Sequence, residues 1–501
     1  MEENGAKVLQ LPEHSLTLGV WDECPGQGLW NGRDGAVVYD LDVTNWGDLH
    51  QKYDLPDETS TEQGEILWLL YQKLGLDMLD VLRGQFGFAL WDGNRQRLLV
   101  ATDPYGIRPV VYTTQSSGLI AASRLKQLLL HPDVPREINP EAVFHYLFFE
   151  AVCSPLTIYQ QVNKLEPGKG LLAENREVKD LHYYDIRYAP ETNHSEPYWR
   201  EVIFDQVKTA VSKFTPRERF RETGCFLSGG TDSSSVAGMV TSISGQPART
   251  FSIGFDEPQF NELDFARMAV DRFGTEQHEY LVTPKDVLTL VEHLPQLYDE
   301  PFGNASVVAA YYCALLAREN GVRTLLGGDG GDEIFGGNER YVTNLIFQRY
   351  QQIPGILRSG FLEPLIGILP QVGLIHKAGR YVRRAKMANP FRFFSYNLLA
   401  ENEADRILAP DFLFQVDPDC FVNLAGQLYD RAAPAHDTDR LLYIDMKFTV
   451  TDNDLRKVTQ MVEAAGLQVR YPLLDRDLVD FTTTIPPDLK VKPGKNRYIF
   501  K

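Results

Sequence analysis

The stretch from Cys225 to Ser235, CFLSGGTDSSS, constrains this chain more than any other. A short apolar run ending in Leu227 gives way to Ser228, Gly229, Gly230, Thr231, Asp232, Ser233 and Ser234, and a helix-compatible segment then runs to Ile243. Strand, glycine turn and helix make a βα unit. Adjacent glycines let the backbone curl closely round an anion, and the helix that follows presents unpaired N–H groups at its positive end. The turn suits a phosphate. Asp232 would repel that phosphate unless a cation stood between them, which points to Mg²⁺. Glycine-serine stretches are commonly flexible connections, but a strand before and a helix after argue against that here. No G-x-x-x-x-G-K-[ST] occurs, so a Walker-type site for γ-phosphate transfer is not supported.

The pattern continues downstream. RTFSI from Arg249, a helical ELDFARMAVDRF, HEYLV from His278, a further helical stretch and RTLLG from Arg323 alternate strand with helix, which predicts a parallel, doubly wound sheet. Such sheets bind ligands at the carboxyl ends of their strands. After the last run comes a second glycine-rich turn, Gly328, Asp329, Gly330, Gly331, Asp332. Two carboxylates on separate loops, Asp232 and Asp332, are what a site needs to hold Mg²⁺ beside a bound phosphate. A calcium loop or a solvated acidic turn is the competing reading, but the spacing is not that of an EF-hand and the preceding strand places the loop at a sheet edge.

The residues before this sheet read differently. EILWLLYQKLGL from Glu65 stacks Leu67, Leu70, Tyr71 and Leu74 on one helical face, and FGFALWD, RLLVATD, PVVYTT and GLIAAS predict an antiparallel meander. The first region is therefore α+β. YAPETNHSE, from Tyr188 to Glu196, breaks every periodicity and reads as the linker, placing the domains at 1–189 and 197–501. Between Tyr341 and Tyr443 the chain is rich in helix-like segments punctuated by Pro354, Pro364 and Pro370, to which we assign a substrate-shaping role.

Charge narrows the partners. Fifty Lys and Arg against 68 Asp and Glu give a net charge of −18, which opposes a phosphate backbone and excludes general nucleic-acid binding. Five scattered cysteines without a C-x-x-C pair favour a reducing compartment, and no stretch approaches the ~18 apolar residues of a membrane span. The expectation is a cytoplasmic protein without membrane partners; association as a homodimer is left open.

SGGTDSS resembles the SGGxDSS loop of the ATP pyrophosphatase superfamily, which cleaves ATP between its α and β phosphates. FSIGF with NELDFARMAV is similar to the second strand and helix of asparagine synthetases, Asp299–Glu300–Pro301 with Ser306 to their substrate segment, LLGGDGGDEIFGG to their pyrophosphate loop, and KVTQMVEAAGLQVRYPLLD to a motif ending LEVRVPFLD. The resemblance implies ATP held by Leu227, Ser228, Gly229, Gly230, Asp232, Ser233, Ser234, Ile253, Gly328, Asp329, Gly330 and Gly331. It implies Mg²⁺ on Asp232 and Asp332, a substrate carboxylate near Asp299 and Ser306, and catalytic roles for Asp329, Lys457, Lys495 and Arg497. Lys457 reads equally as a helix lysine with a solvated head. Arg470 reads as structural, paired with Asp475. Three positions depart from the pattern: Asp329 stands for Glu, Gln468 for Glu, and Arg497 for Lys.

LRGQFGFALWD and DPYGIRPVVY resemble class II glutamine amidotransferase domains, which have an Ntn-type α+β fold. Those domains use an N-terminal Cys whose own amine is the base. Here residue 2 is Glu and the first cysteine, Cys24, is internal, so the expectation is a degenerate domain that does not hydrolyse glutamine. GKNRYIFK resembles the start of a helical segment that the family continues, so the chain reads as truncated at its C-terminus. The resemblance implies an AMP- and pyrophosphate-forming amide ligase similar to asparagine synthetase, one that adenylates a small-molecule carboxylate, the β-carboxylate of aspartate in that family, and then joins it to ammonia or an amine. An intramolecular cyclase of the β-lactam synthetase or lasso-peptide type, or a catalytically silent homologue, are the alternatives.

Overall fold

Placement of the two glycine loops follows from strand order. The computed structural model describes residues 6–11, 16–21, 26–57, 60–116, 118–215, 217–257, 261–358, 360, 374–396 and 404–501. In the first region β1 (Ala6–Leu11) pairs antiparallel with β2 (Leu16–Trp21). A six-stranded antiparallel sheet is built from β3 (Gln27–Asn31), β4 (Gly35–Val43), β5 (Gly84–Asp92), β6 (Arg97–Thr102), β10 (Lys169–Glu174) and β11 (Glu177–His182), in the order β11-β10-β6-β5-β4-β3. A smaller sheet holds β7 (Val111–Gln115), β8 (Gly118–Ala122) and β9 (Asn163–Lys164) in the order β8-β7-β9. Period-2 alternation aims Val37, Tyr39 and Leu41 of β4 and Phe86, Phe88 and Leu90 of β5 at one face. Helix α1 (Gln63–Leu74) covers that face with Ile66, Leu67, Leu70 and Tyr71, all buried.

The expected meander is only half present. β5 with β6 and β7 with β8 are antiparallel hairpins, but the two hairpins belong to different sheets. The turn between them explains why. Buried Asp103 accepts hydrogen bonds from the backbone N–H groups of Tyr105, Ile107 and Arg108 at 3.0, 3.1 and 2.9 Å, which folds PYGIR into a tight corner that redirects the chain. Burial pushes the Asp103 carboxyl up to about 6.

Helix α2 (Glu196–Lys213) opens the second region on the expected stripe, with Ile203, Val207, Ala210 and Val211 buried and Trp199 beside them. Five parallel strands follow, β12 (Thr223–Phe226), β13 (Arg249–Phe255), β14 (Glu276–Val282), β15 (Thr324–Leu326) and β16 (Gln468–Arg470), in the order β14-β13-β12-β15-β16. Helices α3 (Thr231–Ser244), α4 (Leu263–Phe273), α5 (Pro284–Leu297) and α6 (Val307–Glu319) connect the first four. Strand order reverses at β12, so the loops leaving β12 and β15 lie side by side at the switch point.

Much of the 341–443 stretch that is described is helical, including α7 (Glu339–Gln352) and α8 (Cys420–Arg431). Pro364 and Pro370 lie outside the described residues. A π-helical turn, Met446–Asp454, then leads into α9 (Leu455–Ala464) and back to β16. No helix among the described residues is long and apolar enough to cross a membrane.

The two regions share a core and a set of buried ion pairs. Arg108 on the first region reaches Glu463 at 2.8 Å, Lys164 reaches Glu300 at 2.8 Å, and Asp452 accepts from both the amide and the hydroxyl of Ser154 at 2.8 Å. Arg470 corrects the sequence reading: its guanidinium grips Asp42 through two 2.7 Å bonds, while Asp475 binds Lys213 at 2.9 Å.

Candidate active site

The first glycine loop is shaped by its own hydroxyls. Ser228 Oγ and Ser233 Oγ lie 3.1 Å apart, and the Gly230 N–H donates to Ser228 Oγ at 3.3 Å. Gly229 has φ +81°, and a Cβ there would stand 2.4 Å from the backbone of Phe265, so the turn admits no side chain. Across the switch point a Cβ on Gly331 would stand 2.4 Å from Asp232 Cγ. The second loop is bare where the first loop's carboxylate projects.

Asp232 and Asp332 converge. Arg497 Nη2 donates to Asp232 Oδ2 at 2.7 Å and also to Asp332 Oδ1, so one nitrogen spans both carboxylates. Burial pushes the Asp232 carboxyl up to about 6 against the pull of Arg497, and burial likewise raises Asp332. Asp232 Oδ1 is buried with no hydrogen-bond partner. Two hard oxygen donors meeting on one cation, one of them with an orphaned second oxygen, fit a divalent cation such as Mg²⁺.

These loops open into a cavity of about 1,030 Å³. Its lining includes Leu227, Ser228, Gly230, Asp232, Ser233, Ile253, Ser306, Gly328, Asp329, Gly330, Asp332, Lys457 and Arg497 from the sequence-derived set. Gly229, Ser234 and Gly331 belong to the same loops behind that lining. Burial pushes Asp329 up to about 6, with Lys457 drawing it back. For Lys457 burial alone would lower the pKa, but Asp454, bonded to it at 2.7 Å, and Asp329 outweigh burial and raise it. Its ammonium is therefore a retained charge in the cavity.

Two sequence-derived residues are placed elsewhere. Asp299 accepts from the Leu125 N–H at 2.9 Å and pairs with Lys126 at 3.6 Å, which puts it in the contact between the two regions. Lys495 is exposed, with its ammonium 5.7 Å from the centre of the Tyr498 ring. Cys24 lies outside the described residues, and the four other cysteines are free.

Sequence reasoning missed Glu262, Glu333 and Asp454, which line the cavity, and an apolar wall from α5 and the 302–308 segment. Asp454 stands three residues before Lys457, an i,i+3 spacing that brings them together on a helix. Nothing local marks the others, because their facing is set by how α4, α5, α6 and the short helical turn Gly331–Phe335 pack.

A doubly wound sheet with two anion-type glycine loops at its switch point, joined to an antiparallel first domain, defines a two-domain α/β nucleotide-using enzyme. Comparison with known proteins is more specific. The asparagine synthase family profile matches residues 204–501, and the glutamine amidotransferase domain profile matches residues 22–184. The chain belongs to the asparagine synthase family, an ATP-dependent family of ligases forming C–N bonds. A glutamine-hydrolyzing asparagine synthetase of Bacillus subtilis is 25% identical over 473 residues, covering 93% of this chain and 72% of that protein. A putative asparagine synthetase of Methanocaldococcus jannaschii is 31% identical over 333 residues, 65% of this chain and 63% of its own length. Amidase chry2 of Gibberella zeae is 23% identical over 459 residues, 85% of this chain and 67% of that protein. The chain thus spans about two thirds of the length of these relatives.

Proposed function

We propose that the chain is an AMP- and pyrophosphate-forming amide ligase that activates a small-molecule carboxylate at the β12–β15 switch point and passes it to ammonia or an amine. The observation that carries this reading is the convergence of Asp232 and Asp332, from two glycine loops, beside a cavity large enough for a nucleotide and a second substrate.

A substrate carboxylate oxygen attacks the α-phosphorus of ATP. The bond from that phosphorus to the α,β-bridging oxygen breaks, and its electron pair leaves with pyrophosphate. The nitrogen lone pair of ammonia or an amine then attacks the acyl carbon, the acyl–oxygen bond breaks with its electrons passing to AMP, and the nitrogen loses a proton. Asp232 and Asp332 would hold Mg²⁺, which when bound neutralises charge on the departing pyrophosphate. N–H groups and hydroxyls of the Ser228–Ser234 turn bind phosphate oxygens. Arg497 and Lys457 place positive charge where the adenylate's phosphate develops. Asp329, poised near pH 6, takes the proton from nitrogen. The first domain does not hydrolyse glutamine, because Cys24 has a peptide nitrogen where that chemistry needs a free amine.

Product analysis tests the reading. Incubation with ATP, Mg²⁺, ammonia and a panel of carboxylates should yield AMP and pyrophosphate in equal amounts. ADP with inorganic phosphate refutes it.

A further inference from the structure

A second cavity, of about 460 Å³, shares no lining residue with the one at the switch point. Three parts of the chain meet there. From the first domain, β10 brings Lys169 with Glu166 just before it, and the end of β11 with the segment after it brings His182, Asp185 and Arg187. α8 ends at Arg431, and the π-helical turn Met446–Asp454 carries Lys447. The helix Arg476–Thr482 supplies Arg476 and Asp480.

Charge sets this cavity apart. Five cations, Lys169, Arg187, Arg431, Lys447 and Arg476, line it against three carboxylates, Glu166, Asp185 and Asp480. In a chain whose net charge is −18, such an excess runs against the field of the whole molecule. A solvated network of ion pairs is the plain alternative, and it requires a partner for each cation. The pairing falls short of that. Lys169 and Arg431 share Glu166, the first by a hydrogen bond and the second across 3.7 Å. Lys447 holds Asp185 at 2.9 Å, and that carboxylate also accepts from the Tyr443 hydroxyl at 2.8 Å. Arg476, 13% exposed, gives Nη1 to the Asp80 carbonyl at 3.0 Å, and its Nη2 lies 3.9 Å from the Asp80 carboxylate. Arg476 Nε lies 3.8 Å from Asp480 and is buried without a hydrogen-bond partner, while Asp480 accepts from the Tyr184 hydroxyl at 2.9 Å. Arg187 is exposed, and its side chain has no ion pair or hydrogen bond among the described residues.

Guanidinium groups present paired N–H donors that match the oxygens of a phosphate, and ammonium groups add point charge. Three of the first and two of the second surround a volume within the ~300–1,000 Å³ of small-ligand sites. Pro167 and the rings of Tyr183 and Tyr184 border the space beside these charges. We infer that this cavity binds a small phosphate-bearing anion, held by Arg187, Arg431 and Arg476 with Lys169 and Lys447. Its occupant bridges the first domain and the helical region. Lys447 lies on the same π-helical turn whose last residue, Asp454, bonds Lys457 in the switch-point cavity, so the two cavities stand at opposite ends of one element. The site needs none of the ligase chemistry.

Calorimetry at about 0.01 M ionic strength, where screening is weak, tests the inference with glycerol 3-phosphate and inorganic phosphate as probes and citrate as a carboxylate control. EDTA keeps Mg²⁺ from the switch-point carboxylates. One molecule of at least one phosphate probe should bind per chain with a Kd below about 1 mM, and Arg187→Gln with Arg431→Gln should weaken it about tenfold. Probe at about ten times Kd should raise the unfolding temperature of the wild type and not that of the double variant. Should the double variant fail to fold, Arg187→Gln alone, at a side chain without a partner, carries the same comparison with about threefold weakening. Tighter binding of glycerol 3-phosphate marks the ligand as a phosphate ester, and tighter binding of inorganic phosphate marks it as the free ion. An unchanged Kd in the variants puts the phosphate elsewhere and overturns the site. Citrate bound as tightly as either phosphate overturns the phosphate assignment, and neither heat nor a thermal shift at about 10 mM probe overturns the inference as a whole.

Discussion

Replacing Lys164 by Met should loosen the joint between the two regions and disturb the active site from a distance. The Lys164 side chain is 5% exposed. Its ammonium donates to the Val152 carbonyl at 2.6 Å, pairs with Glu300 at 2.8 Å, and lies 3.9 Å from Asp452, whose side chain is fully buried. Glu300 also accepts from the Ile158 N–H at 2.8 Å, so the backbone on both sides is tied to these carboxylates. Met fills nearly the same volume, which keeps the cavity cost small. What remains is a carboxylate pair without its countercharge. Removing one partner of a buried ion pair costs about 3–5 kcal/mol. The sign with pH follows from Asp452. Burial raises its pKa and Lys164 is the largest influence holding it down, so without Lys164 the folded protein takes up a proton there. The deficit is therefore largest at high pH and shrinks as pH falls and protonation relieves the site. Urea denaturation followed by tryptophan fluorescence at pH 8 and pH 5.5 measures both quantities, and Glu300→Gln in the Lys164→Met background should recover part of the loss. A deficit below about 1 kcal/mol at pH 8, or one that grows on acidification, would refute the reasoning.

Asp232→Asn should lower AMP formation by about 10²–10⁴, comparable with other losses of transition-state charge stabilisation, measured as AMP released at saturating ATP; a loss under threefold removes Asp232 from the mechanism. His145 is buried with neither ring nitrogen hydrogen-bonded, and burial followed by the Lys164 charge lowers its pKa to about 4. Its unfolded value is about 6.5, so the unfolded chain binds the proton first, and stability is lost as pH falls from about 6.5 towards 4, by about 3 kcal/mol. His145→Phe should lack that part of the acid sensitivity, as read by urea midpoints at pH 7 and 4.5, and an unchanged pH profile counts against it. Supplied with glutamine alone as nitrogen source the protein should form no amide, whereas ammonia supports turnover; glutamate released at a rate that Cys24→Ala abolishes would restore a glutamine-dependent function.

How far the sequence could be read depends on how local each cause is. The βα unit from Thr223 to Ser244 is legible because apolar run, glycines and helix follow within two dozen residues. β16 is three residues long and owes its state to pairing with β15, so no periodicity announces it. The hairpins of the first domain show their alternation, but Asp103 decides which sheet each joins through bonds formed only in the folded corner. Within the site, the glycine loops and their aspartates were visible, while the apolar wall was not: any amphipathic helix shows a stripe like that of α5, and tertiary packing decides that it faces a cavity. Arg470 makes the point most sharply. Asp475, five residues on, is the obvious local partner, yet Asp42, 428 positions away in the chain, holds the guanidinium.

The placement of these long-range pairs bears on why the first domain matters to a ligase site. α9 carries Lys457 at its first turn, facing the cavity, and Glu463 near its other end, where Arg108 and Arg124 of the first domain both bind it. Asp42 holds β16, which pairs with the strand leading into the Asp329–Asp332 loop. Lys164 holds Glu300, two residues before Phe302 in the apolar wall of the cavity. α9 and the segment that follows Glu300, both of which bring side chains to the cavity, are therefore each held by a charged group of the first domain. Near-attack geometry tolerates errors of only about 1 Å before rates fall ~10²-fold, and single buried ion pairs between otherwise separate regions are a means of holding that tolerance. Such a role depends on the packing of β4, β9 and the turns after β6 and β8, and not on a nucleophile. It gives the first domain a structural part in the site whether or not glutamine is ever hydrolysed there.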